Sequence, residues 1–186
     1  MMEKVCVFLA DGFEEIEALT VVDMLRRADE EVVMVSIMGR KMVIGSHGIS
    51  VQADALYEEM NFADAKLLVL PGGMQGTKHL GAFQPLTELL IEWNSQDKML
   101  AAICAAPSVF GDLGLLKGKE AVCYPGFEER LTGAVIGNGA VAVDGNITTS
   151  RGMGTAIDFA AALIEQLQNC ENAEKLKKSI IYGLFQ

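Results

Sequence analysis

Cys104 closes an apolar run and opens a stretch of small residues, Met99-Leu-Ala-Ala-Ile-Cys104-Ala-Ala-Pro107. A nucleophile on a sharp strand-to-helix turn sits in strained backbone geometry, and only small neighbours such as Ala102, Ala105 and Ala106 fit around it. The positive end of the following helix should favour the thiolate, lower the thiol pKa and make Cys104 the most reactive thiol of the chain. Free cysteines are commonly buried and inert, and spacing by itself leaves that reading of Cys104 open. It is the leading reading for Cys6, Cys123 and Cys170.

A carboxyl that could serve such a thiol lies on the first helix. At about 100° per residue over 14–28, Val21, Met24, Leu25 and Ala28 share a broad apolar arc with Ala18 and Val22. Glu17 falls inside it. Glu15, Thr20, Asp23, Arg26 and Arg27 project to the opposite, solvent side, and Glu14 serves the helix N-terminus. Burial without a cationic partner raises a carboxyl pKa and makes the protonated group a hydrogen-bond donor, able to support a thiolate. A helix rotated enough to solvate Glu17 is the alternative. Pro71-Gly72-Gly73 offers backbone amides at the end of a strand, where they can form an oxyanion hole, although Pro-Gly-Gly is more often only a turn. The chain has two histidines, His47 and His79, which limits mechanisms that need an imidazole.

The elements that must position these groups follow from hydrophobic patterning. Short apolar runs at 5–10, 32–37, 67–70 and 99–103 read as buried strands, and 14–28 and 85–94 carry helical spacing, with a further helix after Cys104. Strand alternating with helix implies a mostly parallel sheet covered on both faces, a three-layer α/β sandwich. Hairpins are expected at 42–51, turning at Gly45-Ser46-His47-Gly48, and at Asp144-Gly145. Helices at 155–168 and 173–182 complete a single domain over 1–186, with a C-terminal helical extension at about 173–186.

Fifteen Lys and Arg against 25 Asp and Glu give a formal charge of -10, which argues against attraction to nucleic acid or anionic lipid. No apolar run reaches the roughly 20 residues of a membrane-spanning helix. Four cysteines without C-x-x-C spacing disfavour a zinc site or a disulfide framework and fit reduced thiols. The expectation is a cytoplasmic protein without membrane or nucleic-acid partners.

Taken together, Asp11-Gly-Phe-Glu-Glu-Ile-Glu17, Pro71-Gly72-Gly73, Ala102-Ile-Cys104-Ala-Ala-Pro107 and Thr149-Ser-Arg-Gly-Met-Gly154 resemble the ThiJ/PfpI superfamily and, within it, the Parkinson disease protein 7 (DJ-one) branch. The resemblance spans about 4–169. It implies a flavodoxin-like (Rossmann-like) sandwich, a homodimer, a nucleophile-elbow cysteine at Cys104 and a protonated Glu17 bonded to it. Gly72, Gly73 and Ala105 would supply amides. His47, Arg26, Arg27 and Arg151 match family positions around the site. No metal or organic cofactor is implied, and the partner would be a small reactive carbonyl or an oxidant. The implied activity is that of a glyoxalase or deglycase, with a redox-responsive protein or a chaperone-like binding dimer as alternatives. Glyoxalase-type members carry histidine where this chain has Tyr124. Peptidase-like members carry histidine directly after the cysteine, where this chain has Ala105, and no histidine follows Cys104 to serve a glutamine amidotransferase. Neither of those two activities is expected.

Overall fold

The computed structural model describes residues 3–183. In chain order the elements are β1 (Lys4–Leu9), α1 (Glu15–Arg27), β2 (Glu31–Ser36), β3 (Met42–Ile44), β4 (Ser50–Gln52), β5 (Ala55–Leu56), β6 (Ala65–Leu70), α2 (Met74–Ala82), α3 (Gln84–Ser95), β7 (Met99–Ile103), α4 (Pro107–Asp112), β8 (Glu120–Ala121), β9 (Val135–Ile136), β10 (Val141–Asp144), β11 (Ile147–Ser150), α5 (Ala156–Leu167) and α6 (Cys170–Ser179). The central sheet has the order β10-β11-β7-β6-β1-β2-β5 and is parallel except for the β10–β11 hairpin.

Strand β1 shows why the pattern gives this architecture. Its side chains alternate between two fully covered faces, so the run is apolar throughout. Val5, Val7 and Leu9 pack with Val21 and Leu25 of α1 and Phe159 of α5, while Cys6, Phe8 and Ala10 pack with Leu86, Leu90 and Trp93 of α3 and Phe110 of α4. Helices on both faces of a mostly parallel sheet make an α/β three-layer sandwich.

From β1 the chain adds β2 and β5 on one side, then returns to place β6 on the other. This reversal is a topological switch point, and a crevice opens there beyond the carboxyl ends of the strands. The loop after β1, the turn after β6 and the turn after β7 all end in it. They carry Glu14, Gly72 and Gly73, and Cys104, and the first turn of α1 adds Glu17.

Two helices depart from the expected pattern, and the two-residue strands β5, β8 and β9 lie where no strand is expected. Helix α2 lies where none is expected: Gly76, Thr77 and Gly81 depress its intrinsic propensity, and tertiary packing of Leu80 overrides that preference. Helix α6 begins at Cys170 instead of Ala173, because the Asn169 side chain accepts from the Asn172 amide at 2.9 Å and caps it. The last three residues of the expected extension, 184–186, lie outside the described residues. Among the described residues, no helix is long and apolar enough to cross a membrane.

Candidate active site around Cys104

Cys104 adopts φ 66°, a left-handed conformation that costs a non-glycine residue about 1–3 kcal/mol unless its surroundings hold it. Its own amide donates to Ser150 O at 2.9 Å, and its carbonyl accepts from the Tyr124 amide at 2.8 Å. Asp29 and Asp97 share the positive φ, but those are turn residues of a type that tolerates it. At Cys104 the strain turns a half-buried thiol toward the crevice.

Glu17 is 1% exposed, on the buried arc of α1. Its Oε2 accepts from the Gly72 amide at 3.0 Å, and the Met153 amide and the Cys104 thiol are near enough to favour its ionised form. Gly72 is obligatory here, since a Cβ would lie 2.4 Å from Glu17 Oε2 and 2.6 Å from Cys104 Cβ. The amides of Gly73 and Ala105 lie on the same cavity as the sulfur and favour its thiolate. Gly72 therefore orients the acid, and the donors around the sulfur are the other two amides.

The electrostatics overturn one expectation. Burial, then the Glu17 charge and hydrogen bond, push the Cys104 thiol up to about 12, against the pull of the Gly73 and Ala105 amides. Helix α4 is too slight to reverse this. It has six residues and starts three positions later, at Pro107, which has no N–H to offer. Burial raises Glu17 to about 7, aided by the nearby Glu14 charge and opposed by the Cys104 thiol and the Gly72 and Met153 amides. Glu17 thus titrates near neutral pH beside a thiol that stays protonated, which sets a proton acceptor against the sulfur.

The wheel sends Glu15 to solvent, yet it is 3% exposed. The β3–β4 turn folds over it: Oε1 accepts from the His47 amide at 2.8 Å, and Oε2 lies 3.0 Å from His47 Nδ1 and 3.1 Å from the Ser46 hydroxyl. A Cβ at residue 45 would stand 2.2 Å from Glu15 Oε1, so Gly45 is what admits the carboxylate. Burial works to raise this carboxyl, but the His47 ring and amide hold it at about 2. The Glu15 hydrogen bond and the Glu14 charge raise His47 in turn. A helical wheel cannot see a turn arriving from 30 residues downstream.

The sign of the pH dependence follows. The Glu15 contribution is present above 4.5 and is lost as pH falls through about 2; the His47 contribution is present below 6.5 and is lost as pH rises through its elevated folded value. The stability advantage of the wild type over Glu15→Gln is expected to peak between about pH 4.5 and 6.5. Urea titrations at a series of pH values check this, and a difference constant across pH would contradict it.

The remaining expected residues are dispersed. Arg26 bonds Asp54 at 2.7 Å, Arg27 bonds Asp23 at 2.6 Å, and Arg151 ties the carbonyls of Gly137 and Gly139. Tyr124 does stand at the thiol, in a cavity of about 210 Å³ that Met74 and Phe127 also line. Neither Met74 nor Phe127 is legible as a site residue in the sequence, because glycines mask α2 and nothing local marks Phe127.

An elbow cysteine with a buried carboxyl, on a switch-point crevice of a three-layer α/β sandwich, defines a class of cysteine-centred flavodoxin-like proteins. The sequence model of the DJ-1/PfpI family matches residues 3–166, and the chain belongs to that family. It is 37% identical over 181 residues to protein DJ-1 homolog B of Arabidopsis thaliana, covering 96% of this chain and 41% of that protein. The chain spans less than half the length of both Arabidopsis thaliana relatives it matches. A Pyrococcus abyssi protein named as a deglycase is 31% identical over 150 residues, covering 80% of this chain and 89% of its own. Among solved structures, oxidized Toxoplasma gondii DJ-1 superposes with a TM-score of 0.93 at 40% identity, over 97% of this chain and 99% of that one.

Proposed function

We propose that this chain is a protective protein that converts reactive dicarbonyls or their early adducts, as a glyoxalase or deglycase, with Cys104 as nucleophile and Glu17 as proton carrier. The observation that carries the reading is the convergence on one sulfur of a carboxyl with a pKa of about 7 and two backbone amides. The similarity to a protein named as a deglycase supports it.

With a dicarbonyl R–CO–CHO, the sulfur bonds to the aldehyde carbon as its proton passes to Glu17, and the carbonyl electron pair moves onto oxygen beside the Gly73 and Ala105 amides. Glu17 returns the proton to that oxygen, giving a hemithioacetal. Glu17 then removes the C1 proton, the released pair forms the double bond of an enediolate, and Glu17 delivers that proton to the C2 oxygen, giving the enediol. Glu17 next carries the C1 hydroxyl proton to C2 as the C1 oxygen collapses to a carbonyl, giving a thioester, which water cleaves to a 2-hydroxy acid and the free thiol. Dicarbonyl plus water becomes hydroxy acid, and no external oxidant or reductant is consumed. With tyrosine at 124, every proton transfer falls to Glu17. Incubating the protein with methylglyoxal and following lactate tests the reading: lactate forms with the wild type and stays at background with Cys104→Ala, whereas equal rates in both would refute it.

A second reading rests on the two amides beside the sulfur itself, which suit the oxygens of an oxidised cysteine. Cys104 would take up two oxygen atoms from two peroxides, each reduced to water, and stop at sulfinate. The similar Toxoplasma gondii protein is described as oxidized.

The assembly proposed is a homodimer through α1 and the β3–β4 hairpin. Ile16, Met42, Ile44 and Ile49 are each 45% or more exposed there, beside a concavity of about 640 Å³ lined in part by Ile16, Leu19, Ile49, Ile157 and Ile180. An exposed apolar patch of this kind is usually covered by a partner. Sedimentation at micromolar concentration should give about twice the chain mass of 20.0 kDa, and the single-chain mass would contradict the assembly.

A further inference from the structure

The cavity at Cys104 has an uneven wall. Two large apolar side chains stand in the open beside the thiol, Met74 at 56% and Tyr124 at 52% exposed, and the Phe127 ring lines the same space. Exposed aromatic and thioether surface at a reacting atom gives a flat apolar group something to cover. Besides the Cys104 thiol and the Tyr124 phenol, the ionisable side chain lining the cavity is the carboxyl of Glu14, and among the described residues no Lys or Arg lines it. Nearby cations are already engaged. Arg151 is bound to backbone carbonyls, Arg40 pairs with Asp11, and His47 faces Glu15 at 3.0 Å and Glu14 at 3.6 Å. Glu14 and Glu15 share the one His47 imidazole, at 3.6 and 3.0 Å, so an anionic substrate would meet two carboxylates against a single cation that is already taken.

Building on the dicarbonyl reading above, we propose that the site selects neutral α-oxoaldehydes bearing a flat apolar substituent, with Tyr124, Phe127 and Met74 as the substituent's platform and Glu14 as the group that rejects anionic ones. An arylglyoxal is the simplest compound of this class. Its aldehyde carbon would face Cys104 while its ring covers the aromatic wall, and the bond-forming steps are those already written.

The test compares kcat/KM for methylglyoxal, phenylglyoxal and 4-carboxyphenylglyoxal. Phenylglyoxal is expected to exceed methylglyoxal by about tenfold or more, the discrimination an added apolar contact gives in a pocket. The carboxylated compound is expected to fall about fivefold or more below phenylglyoxal, from one close like-charge pair partly screened by water. Tyr124→Ala should shrink the phenyl-to-methyl ratio, and Glu14→Gln should shrink the neutral-to-carboxylate ratio. Ratios are the readout because the Glu14 charge also helps raise Glu17, so its removal moves all three rates together. A phenyl-to-methyl ratio at or below one, or ratios untouched by these variants, would overturn the proposal. Absence of turnover with all three compounds refutes the dicarbonyl reading instead. The selectivity is then read from Cys104 modification by neutral 4,4′-dithiodipyridine against the dianionic 5,5′-dithiobis(2-nitrobenzoate), mapped by mass spectrometry. A faster neutral reagent, with the gap narrowed by Glu14→Gln, supports the selectivity, and equal rates overturn it.

Discussion

Replacing Glu17 by glutamine is expected to lower dicarbonyl turnover by about 10²-fold or more, the usual range for a general acid-base group. Glutamine keeps the size of the side chain and can still offer an N–H to the sulfur. It cannot accept a proton. With the thiol held at about 12, direct ionisation near neutral pH supplies very little thiolate, so the proton must go somewhere as the sulfur attacks. Glu17, at about 7, is the group in contact with it. The wild-type kcat/KM should therefore rise with pH up to about 7 and level off above, while the variant shows no such rise. Oxidation of Cys104 by peroxide should change less, since it needs no repeated proton shuttling. Brisk turnover indifferent to Glu17→Gln, or a rise through pH 7 that survives the substitution, would defeat the proton-carrier role.

The same substitution should have a large effect on stability, read as a change with pH. A carboxyl at 4.5 in the unfolded chain and about 7 in the folded one binds more protons when folded. Its favourable share of stability is present below 4.5 and is lost as pH rises through about 7. A displacement of that size corresponds to about 3 kcal/mol. Glutamine does not titrate. Between about pH 4 and pH 8, the unfolding free energy of the wild type should therefore fall by about 3 kcal/mol relative to that of Glu17→Gln. Comparing the two proteins across pH cancels whatever hydrogen bond the amide fails to make to Gly72 or Met153. A difference that stays constant, or that moves in favour of the wild type as pH rises, would show that Glu17 is not a desolvated acid. The group proposed as proton carrier is thus held at the expense of stability above neutral pH, a common pattern at functional sites.

How much of this was legible in the sequence depended on whether the determining contacts are local. Strand β7 spans the expected residues, 99–103, because an apolar run ending in a turn is a local signal. Glu17 was found because the periodicity of α1 carries its own burial pattern. Glu15 was lost because its burial depends on a turn some 30 residues downstream, admitted by the missing side chain of Gly45. Helix α2 was lost because glycines mask a helix that long-range packing stabilises. The turn that carries the thiol is legible in the sequence and its ionisation is not: a helix dipole is a sequence-readable effect, whereas desolvation and a carboxyl brought in from α1 are three-dimensional ones, and they prevail. The aromatic wall of Tyr124 and Phe127 assembles only when the segment after β8 folds back over Cys104.

The most direct test of the central claim is to catch the sulfur bonded to substrate. The protein is mixed with methylglyoxal, quenched in acid during turnover, digested and mapped by mass spectrometry. A mass increase equal to one methylglyoxal is expected on the peptide carrying Cys104, appearing within the time of one turnover and decaying as lactate accumulates. Lactate formation with no adduct at Cys104, or with undiminished rate in Cys104→Ala, would contradict the claim.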